Sequence, residues 1–147
     1  MVEILDETAR LPVPERLEAA LQAMLDRYHL GAKQVTVVLV DDAAMAERNL
    51  ADRGVAGPTD VLSYPSHEPD DTGMPEVAHL GDVIIDLDAA KRQAPEHGND
   101  LTGELLVLAA HGLTHLRGFD HPDEASWRPF LEAQGAILAW SERWRGG

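Results

Sequence analysis

Cysteine is absent from this chain of 147 residues. Disulfides, thiolate nucleophiles and every cysteine-containing metal centre are therefore excluded, and any metal must sit on His, Asp or Glu. Basic residues are scarce: 12 Lys and Arg stand against 26 Asp and Glu, for a net charge of −14 at pH 7. Such a surface repels polyanions at long range, which argues against loose, nonspecific nucleic-acid binding. Long apolar runs are missing too. No stretch approaches the roughly 20 apolar residues of a membrane span, and Met1 to Glu15 has no basic segment leading into an apolar one. The expectation is a cytoplasmic protein without membrane association. No fixed-period repeat, linker or low-complexity tract divides residues 1–147, so one domain is expected throughout.

What is present is an ordinary globular mixture, 44% hydrophobic and 26% charged, enough to bury a core without staples. Val2 to Leu5 reads as a short edge strand. Pro14 suits a first helical position, and Leu17, Ala20, Leu21, Met24, Leu25 and Tyr28 then keep helical spacing, with Gly31 as the expected left-handed stop. Val35 to Val40 is β-branched and nearly continuously apolar, as in a strand covered on both faces. Asp41 or Asp42 can cap a helix running to about Arg53, with Gly54 as its stop. Thr59 to Tyr64 and Gly81 to Leu87 read as strands on either side of an acidic loop rich in Pro and Gly, residues 65–75, a candidate flap. A short helix from Asp88 to about Glu96, a helix apolar on most sides from Leu101 to Leu116, and a last amphipathic helix marked by Trp127, Phe130, Leu131, Gln134, Ile137 and Leu138 complete the pattern. This predicts an α+β fold: a mixed sheet of about four strands packed against several helices, with strand order open.

The chemistry is concentrated in His111-Gly-Leu-Thr-His115-Leu-Arg-Gly118-Phe-Asp-His121. His111 and His115, at i and i+4, lie on one helical face about 6 Å apart. Gly118 tolerates positive φ, so the helix can end there and the chain can return His121 toward the same point. Three neutral imidazoles make an open Zn2+ site at the end of a buried helix, one ion whose fourth position is left to water or substrate. The bland alternative is three satisfied histidines around a turn. Every ligand position and the turn glycine match the zinc-protease pattern H-E-x-x-H-x-x-G-x-x-H, except that Gly112 stands where that pattern has its catalytic glutamate. Amide hydrolysis needs that base. A phosphodiester needs charge stabilisation on its oxygens, which a metal and a guanidinium supply together.

HGLTHLRGFDH resembles the H-G-x-x-H-x-x-G-[YF]-D-H signature of the YbeY endoribonucleases. Arg53-Gly-Val-Ala-Gly-Pro58-Thr-Asp-Val-Leu-Ser-Tyr-Pro65 resembles that family's R-x-x-x-x-P-T-[DN]-V-L-S-[FY]-P segment, and Gly81 to Ile85 resembles its G-D-[IV]-x-[IV] strand, all three in the family's order. The resemblance implies a metal-dependent endoribonuclease specific for single strands, with 16S rRNA 3′-end maturation and ribosome quality control as its setting. It also implies ribosomal RNA and the ribosome or its proteins as partners, His111, His115 and His121 as metal ligands, and Arg53 with His115 as catalytic residues. Thr114 and Phe119 depart from the residues common in the family without touching a ligand position.

Other readings stay open. Arg53 alone would pass for a solvated cation at a helix C-terminus; as a bidentate fork it could hold a phosphate. Arg117 has the same bland reading. Glu104 could orient a ligand or merely suit a first helical turn; Asp120 could hydrogen-bond the turn or a ligand imidazole, while Asp60 and Ser63 could cap or line the cleft from their strand. His29, His67, His79 and His97 lack paired spacing and read as surface or loop histidines. The rival functions are a zinc peptidase whose base lies elsewhere, in Glu68 or Glu76, and a ribosome-associated binding factor whose metal only braces the turn.

Overall fold

The structure is a computed structural model, and it describes residues 1–11, 14–66, 79–119 and 125–144. The loop expected over 65–75, apart from Pro65 and Ser66, lies outside those residues, as do His67, Glu68, Glu76, Asp120 and His121.

Among the described residues, five α-helices and one four-stranded sheet run in the order β1 (Val2–Asp6), α1 (Pro14–Arg27), β2 (Gln34–Val40), α2 (Asp42–Arg53), β3 (Val61–Pro65), β4 (His79–Asp86), α3 (Leu87–Glu96), α4 (Leu101–Leu116) and α5 (Arg128–Arg143), with a single 3-10 turn, Ala125–Trp127, before α5. The sheet order is β1-β2-β4-β3. β1, β2 and β4 run parallel, and β3 pairs antiparallel with β4 along the edge. This is the mixed α+β arrangement that the sequence predicts, and β2 sits inside the sheet as its unbroken apolar character requires.

Alternation along the strands gives the sheet two different faces. Val35, Val37, Leu39, Val83 and Ile85 point into the larger core with α1, α4 and residues of α5. Val38, Val40, Leu62 and Ile84 point the other way and are covered by Met45 of α2. Helix α4 is the centre of the larger core: Leu105, Leu106, Ala109, Ala110 and Leu113 are all buried on it.

Local signals set most boundaries. Asp41 caps α2 by accepting from the Ala44 amide, and Gly54 ends it at φ 69°. Asp100 caps α4 through the Gly103 amide at 2.7 Å. Two expectations shift. Asp86, not Asp88, caps α3 by accepting from the Asp88 and Ala89 amides. The left-handed residue after α1 is His29, at φ 61°, rather than Gly31; the turn closes two residues earlier, with the Leu30 amide bonded to the Leu25 carbonyl at 2.7 Å. Leu131 and Trp127, expected on the apolar face of the last helix, are 61% and 38% exposed.

Candidate metal centre

Helix α4 carries His111 and His115 on a half-buried stripe next to the sheet edge. Their rings meet at a centroid distance of 4.9 Å and an angle of 68°, and the two Nε2 atoms are 3.2 Å apart. His115 Nδ1 lies 3.1 Å from the Phe119 carbonyl oxygen. A carbonyl only accepts, so Nδ1 carries the proton and the neutral ring presents its lone pair at Nε2. Gly118, at φ 99°, reverses the chain and delivers that carbonyl, so the turn glycine also sets the tautomer of the second imidazole.

Two Nε2 donors at this separation fit neighbouring ligands of a tetrahedral ion, which stand about 3.4 Å apart when each bond is about 2.1 Å. Phe130, 3% exposed, packs against both rings at 4.8 and 4.9 Å, and Trp127 stands 5.9 Å from His111. This aromatic wall limits how far the rings can turn. His121, expected as the third ligand, lies outside the described residues.

Gly112 separates the two imidazoles from the sheet. A Cβ there would stand 2.5 Å from Val83 Cγ1, 3.0 Å from Val83 Cγ2 and 3.2 Å from Ser63 Oγ. Ser63 donates to the Gly112 carbonyl at 3.2 Å. The position that holds glutamate in zinc proteases thus faces β3 and β4 with no room for a side chain. Thr114 is buried on the same helix and satisfies its hydroxyl on the Ala110 carbonyl at 2.7 Å, which leaves no orphan donor.

Two open pockets flank the rings. One, of about 370 Å³, reaches His115 and is lined by Leu30, Arg117 and Phe119 among others. The second, of about 250 Å³, reaches His111 and includes Asp60, Gln93, Glu104 and Trp127. Arg117 stacks its guanidinium carbon 3.4 Å over the Tyr28 ring, which gives the residue a packing role. Tyr28 donates to Glu132 at 2.6 Å, and its hydroxyl is pushed above the usual range by burial first and that carboxylate second.

Glu104 is fully buried and accepts from His97 Nδ1 at 2.9 Å and Asn99 Nδ2 at 3.1 Å. It ties the turn before α4 to the helix. His97 is an exposed histidine in the turn after α3, as expected, and no spacing rule signals its bond to Glu104 across that turn. His79 likewise lies in β4, with partners in Thr36 and Ser66.

Arg53 ends α2, whose Met45 covers the opposite face of the sheet, and its Nη1 donates to Asn49 at 3.3 Å. Buried Asn49 in turn donates to the Gly57 carbonyl at 2.8 Å, pinning the segment that runs from Arg53 to Asp60 at the rim of the pocket beside His111. Arg53 lines neither pocket.

A group the sequence did not single out is Asp42, Asp86 and Asp88, whose carboxylate oxygens lie within 4.8 Å of one another. Arg92 holds Asp42 with two hydrogen bonds and Arg10 holds Asp88 at 2.9 Å. Burial, then the neighbouring Asp42, pushes the Asp86 carboxyl up to about 7, and Arg92 holds Asp42 down at about 2. The cluster joins the starts of α2 and α3 through the Asp42 amide, which donates to Asp88 at 3.0 Å, and two guanidinium clamps.

Known proteins are similar to this chain over most of its length. The family model described as Endoribonuclease YbeY matches residues 3–141. The Endoribonuclease YbeY of Thermus thermophilus is 46% identical over 124 residues, 84% of this chain and 88% of that protein. That of Deinococcus radiodurans is 48% identical over 123 residues, 81% of this chain and 78% of that protein. A Thermotoga maritima protein solved in solution superposes with a TM-score of 0.66 at 27% identity, covering 100% of this chain and 99% of that one.

Proposed function

The chain belongs to the YbeY endoribonuclease family, and from that premise we propose that it is an endoribonuclease cutting single-stranded RNA, ribosomal RNA in the course of ribosome maturation. His111, His115 and His121 hold one zinc ion. The observation that carries this reading is the pair of Nε2 atoms 3.2 Å apart, one with its tautomer set by the Phe119 carbonyl, at the junction of two open pockets.

When bound, the metal supplies Lewis acidity toward a phosphate oxygen and lowers the pKa of water. The chain's own residues do the rest. Phe119 keeps the His115 lone pair directed at the ion. Phe130 backs both rings and shuts water out behind them. Arg53 is exposed and gives Asn49 one of its five donors, which leaves a fork suited to a backbone phosphate. The substrate then runs from the rings along the Asp60 rim toward the end of α2.

A peptidase reading is the weaker one, because the helix position next to His111 has no space for an acidic base. A purely binding role sits poorly with imidazoles that open onto pockets on both sides. Cytoplasmic residence and work on the ribosome go with this reading; among the described residues no helix is long and apolar enough to cross a membrane.

The test is metal content together with cleavage of a single-stranded RNA by wild type, His115→Ala, Arg53→Ala and Arg53→Lys. The expected result is loss of zinc and cleavage in the first variant, and loss of cleavage with zinc retained in the other two. Folded variants that cut RNA as wild type does would reject the assignment.

A further inference from the structure

Helix α2 buries two residues, Met45 and Asn49. Met45 is the apolar anchor that such a stripe calls for. Asn49, one turn on, is an amide where a leucine would favour both the helix and the burial. It is 2% exposed, so both ends of its amide need partners. Nδ2 donates to the Gly57 carbonyl at 2.8 Å. Oδ1 accepts from Arg53 Nη1 at 3.3 Å, an i, i+4 pair on the last turn of the helix.

The kind of partner Arg53 has is as telling as the bond. Arg10, Arg27 and Arg92 each pair with a carboxylate. Arg53 stands in a chain with 26 Asp and Glu, yet among the described residues it pairs with none of them and is held by a neutral amide. A carboxylate at position 49 would grip the guanidinium more strongly and offset its charge. The amide restrains the side chain and leaves the whole positive charge to an incoming anion. Arg53 is exposed, and fixing a long exposed side chain on a ligand costs rotamer entropy; a hold already in place lowers that cost.

We propose that Asn49 is a positioning residue for the reaction, presenting Arg53 to a backbone phosphate of the RNA in a preset and unneutralised state. The inference rests on the ribonuclease reading for the identity of the anion. Asn49 is buried and lines neither pocket, so its influence on the substrate runs through the guanidinium it holds.

The experiment measures binding of a short single-stranded 2′-O-methyl RNA, labelled at one end, by fluorescence anisotropy between about 50 and 200 mM salt. The proteins are wild type, Asn49→Leu, Asn49→Asp, Arg53→Ala and the two double variants, with Asn49→Ala in place of Asn49→Leu if the larger side chain does not fold. KM for cleavage of the unmodified strand is read in parallel for wild type and the Asn49 variants. Both changes at Asn49 remove the donor to Gly57, so their difference isolates the acceptor and its charge. Asn49→Leu frees Arg53 with its charge intact; it should weaken binding and raise KM about two- to tenfold, the cost of fixing one long side chain, at an unchanged salt slope. Asn49→Asp holds Arg53 but offsets its charge; it should also weaken binding, and move the logarithmic slope by about 0.7 toward zero, the share of one phosphate on a single strand. In the Arg53→Ala background neither change should add more than about twofold. Equal losses in both backgrounds, or the same slope for Asn49→Asp as for Asn49→Leu, overturns the proposal, and RNA cleavage by that wild type leaves the ribonuclease reading standing. The expected pattern in a protein that cuts no RNA supports the positioning role and rejects that reading. A wild type that neither binds nor cuts the strand rejects both.

Discussion

Replacing Gly112 by alanine sets two known effects against each other. Alanine is the better helix former by about 1 kcal/mol. The new methyl would stand 2.5 Å from Val83 Cγ1 and 3.0 Å from Val83 Cγ2, where carbon atoms prefer about 3.5 to 4.0 Å. Val83 is 1% exposed and its branched side chain has few alternative rotamers in a strand. Helix α4 must therefore lift from the sheet by about 1 Å, which also strains the Ser63 bond to the Gly112 carbonyl. Overpacking of this kind costs about 1–3 kcal/mol. The net expectation is a loss of up to about 2 kcal/mol, read as a lower urea midpoint at unchanged slope. The cause is isolated by a double-mutant cycle. Val83→Ala alone opens a cavity, Gly112→Ala fills it, and the pair should be less destabilised than the sum by at least about 1 kcal/mol. A Gly112→Ala protein more stable than wild type, or strictly additive changes, would refute the reasoning.

Three further outcomes are expected. Asp86, with its carboxyl moved from 3.8 to about 7, keeps an extra proton in the folded state. The stability it contributes is complete below pH 4 and is lost as pH rises through 7, with a ceiling of about 4 kcal/mol. Asp86→Asn, which mimics the protonated acid, should flatten the stability profile between those values and exceed wild type at pH 8; parallel profiles would contradict this. Zinc at a hundredfold excess over its dissociation constant should add about 2.7 kcal/mol, or about 5–10 °C in Tm for a chain of this size, with no shift in His111→Ala. Finally, RNA binding should depend weakly on salt, with a logarithmic slope shallower than about −2, checked by titration between 50 and 200 mM salt; a slope near −6 would mean the phosphates dominate after all.

The parts of the fold that could be read from sequence are those whose cause is local. Asp41 and Gly54 bracket α2, Pro14 opens α1, and the i, i+4 imidazoles meet because a helix allows nothing else. Gly118 takes the positive φ its position demanded. Strand order could not be read, since pairing β2 with β4 and turning β3 back along the edge depends on contacts between distant segments. The same limit hid why Gly112 is glycine: its reason is Val83, on another element. Glu104 looked like a helix-start carboxylate because its partners, His97 and Asn99, reach it across a turn. Trp127 kept the periodicity of a core residue, yet the 3-10 turn before α5 swings it to the pocket wall. Arg53 was joined to the histidines by motif alone, since a helix end and a second helix far along the chain share no local spacing.

The burial of α4 has a consequence for when the metal-binding geometry is acquired. His111 and His115 hang from the most enclosed helix, so their amides should exchange with solvent only when the whole molecule opens, while those of Gly118 and Phe119 exchange by local fraying. Two of the donors are thus oriented by the folding transition itself. An arriving ion meets a preset half-cage.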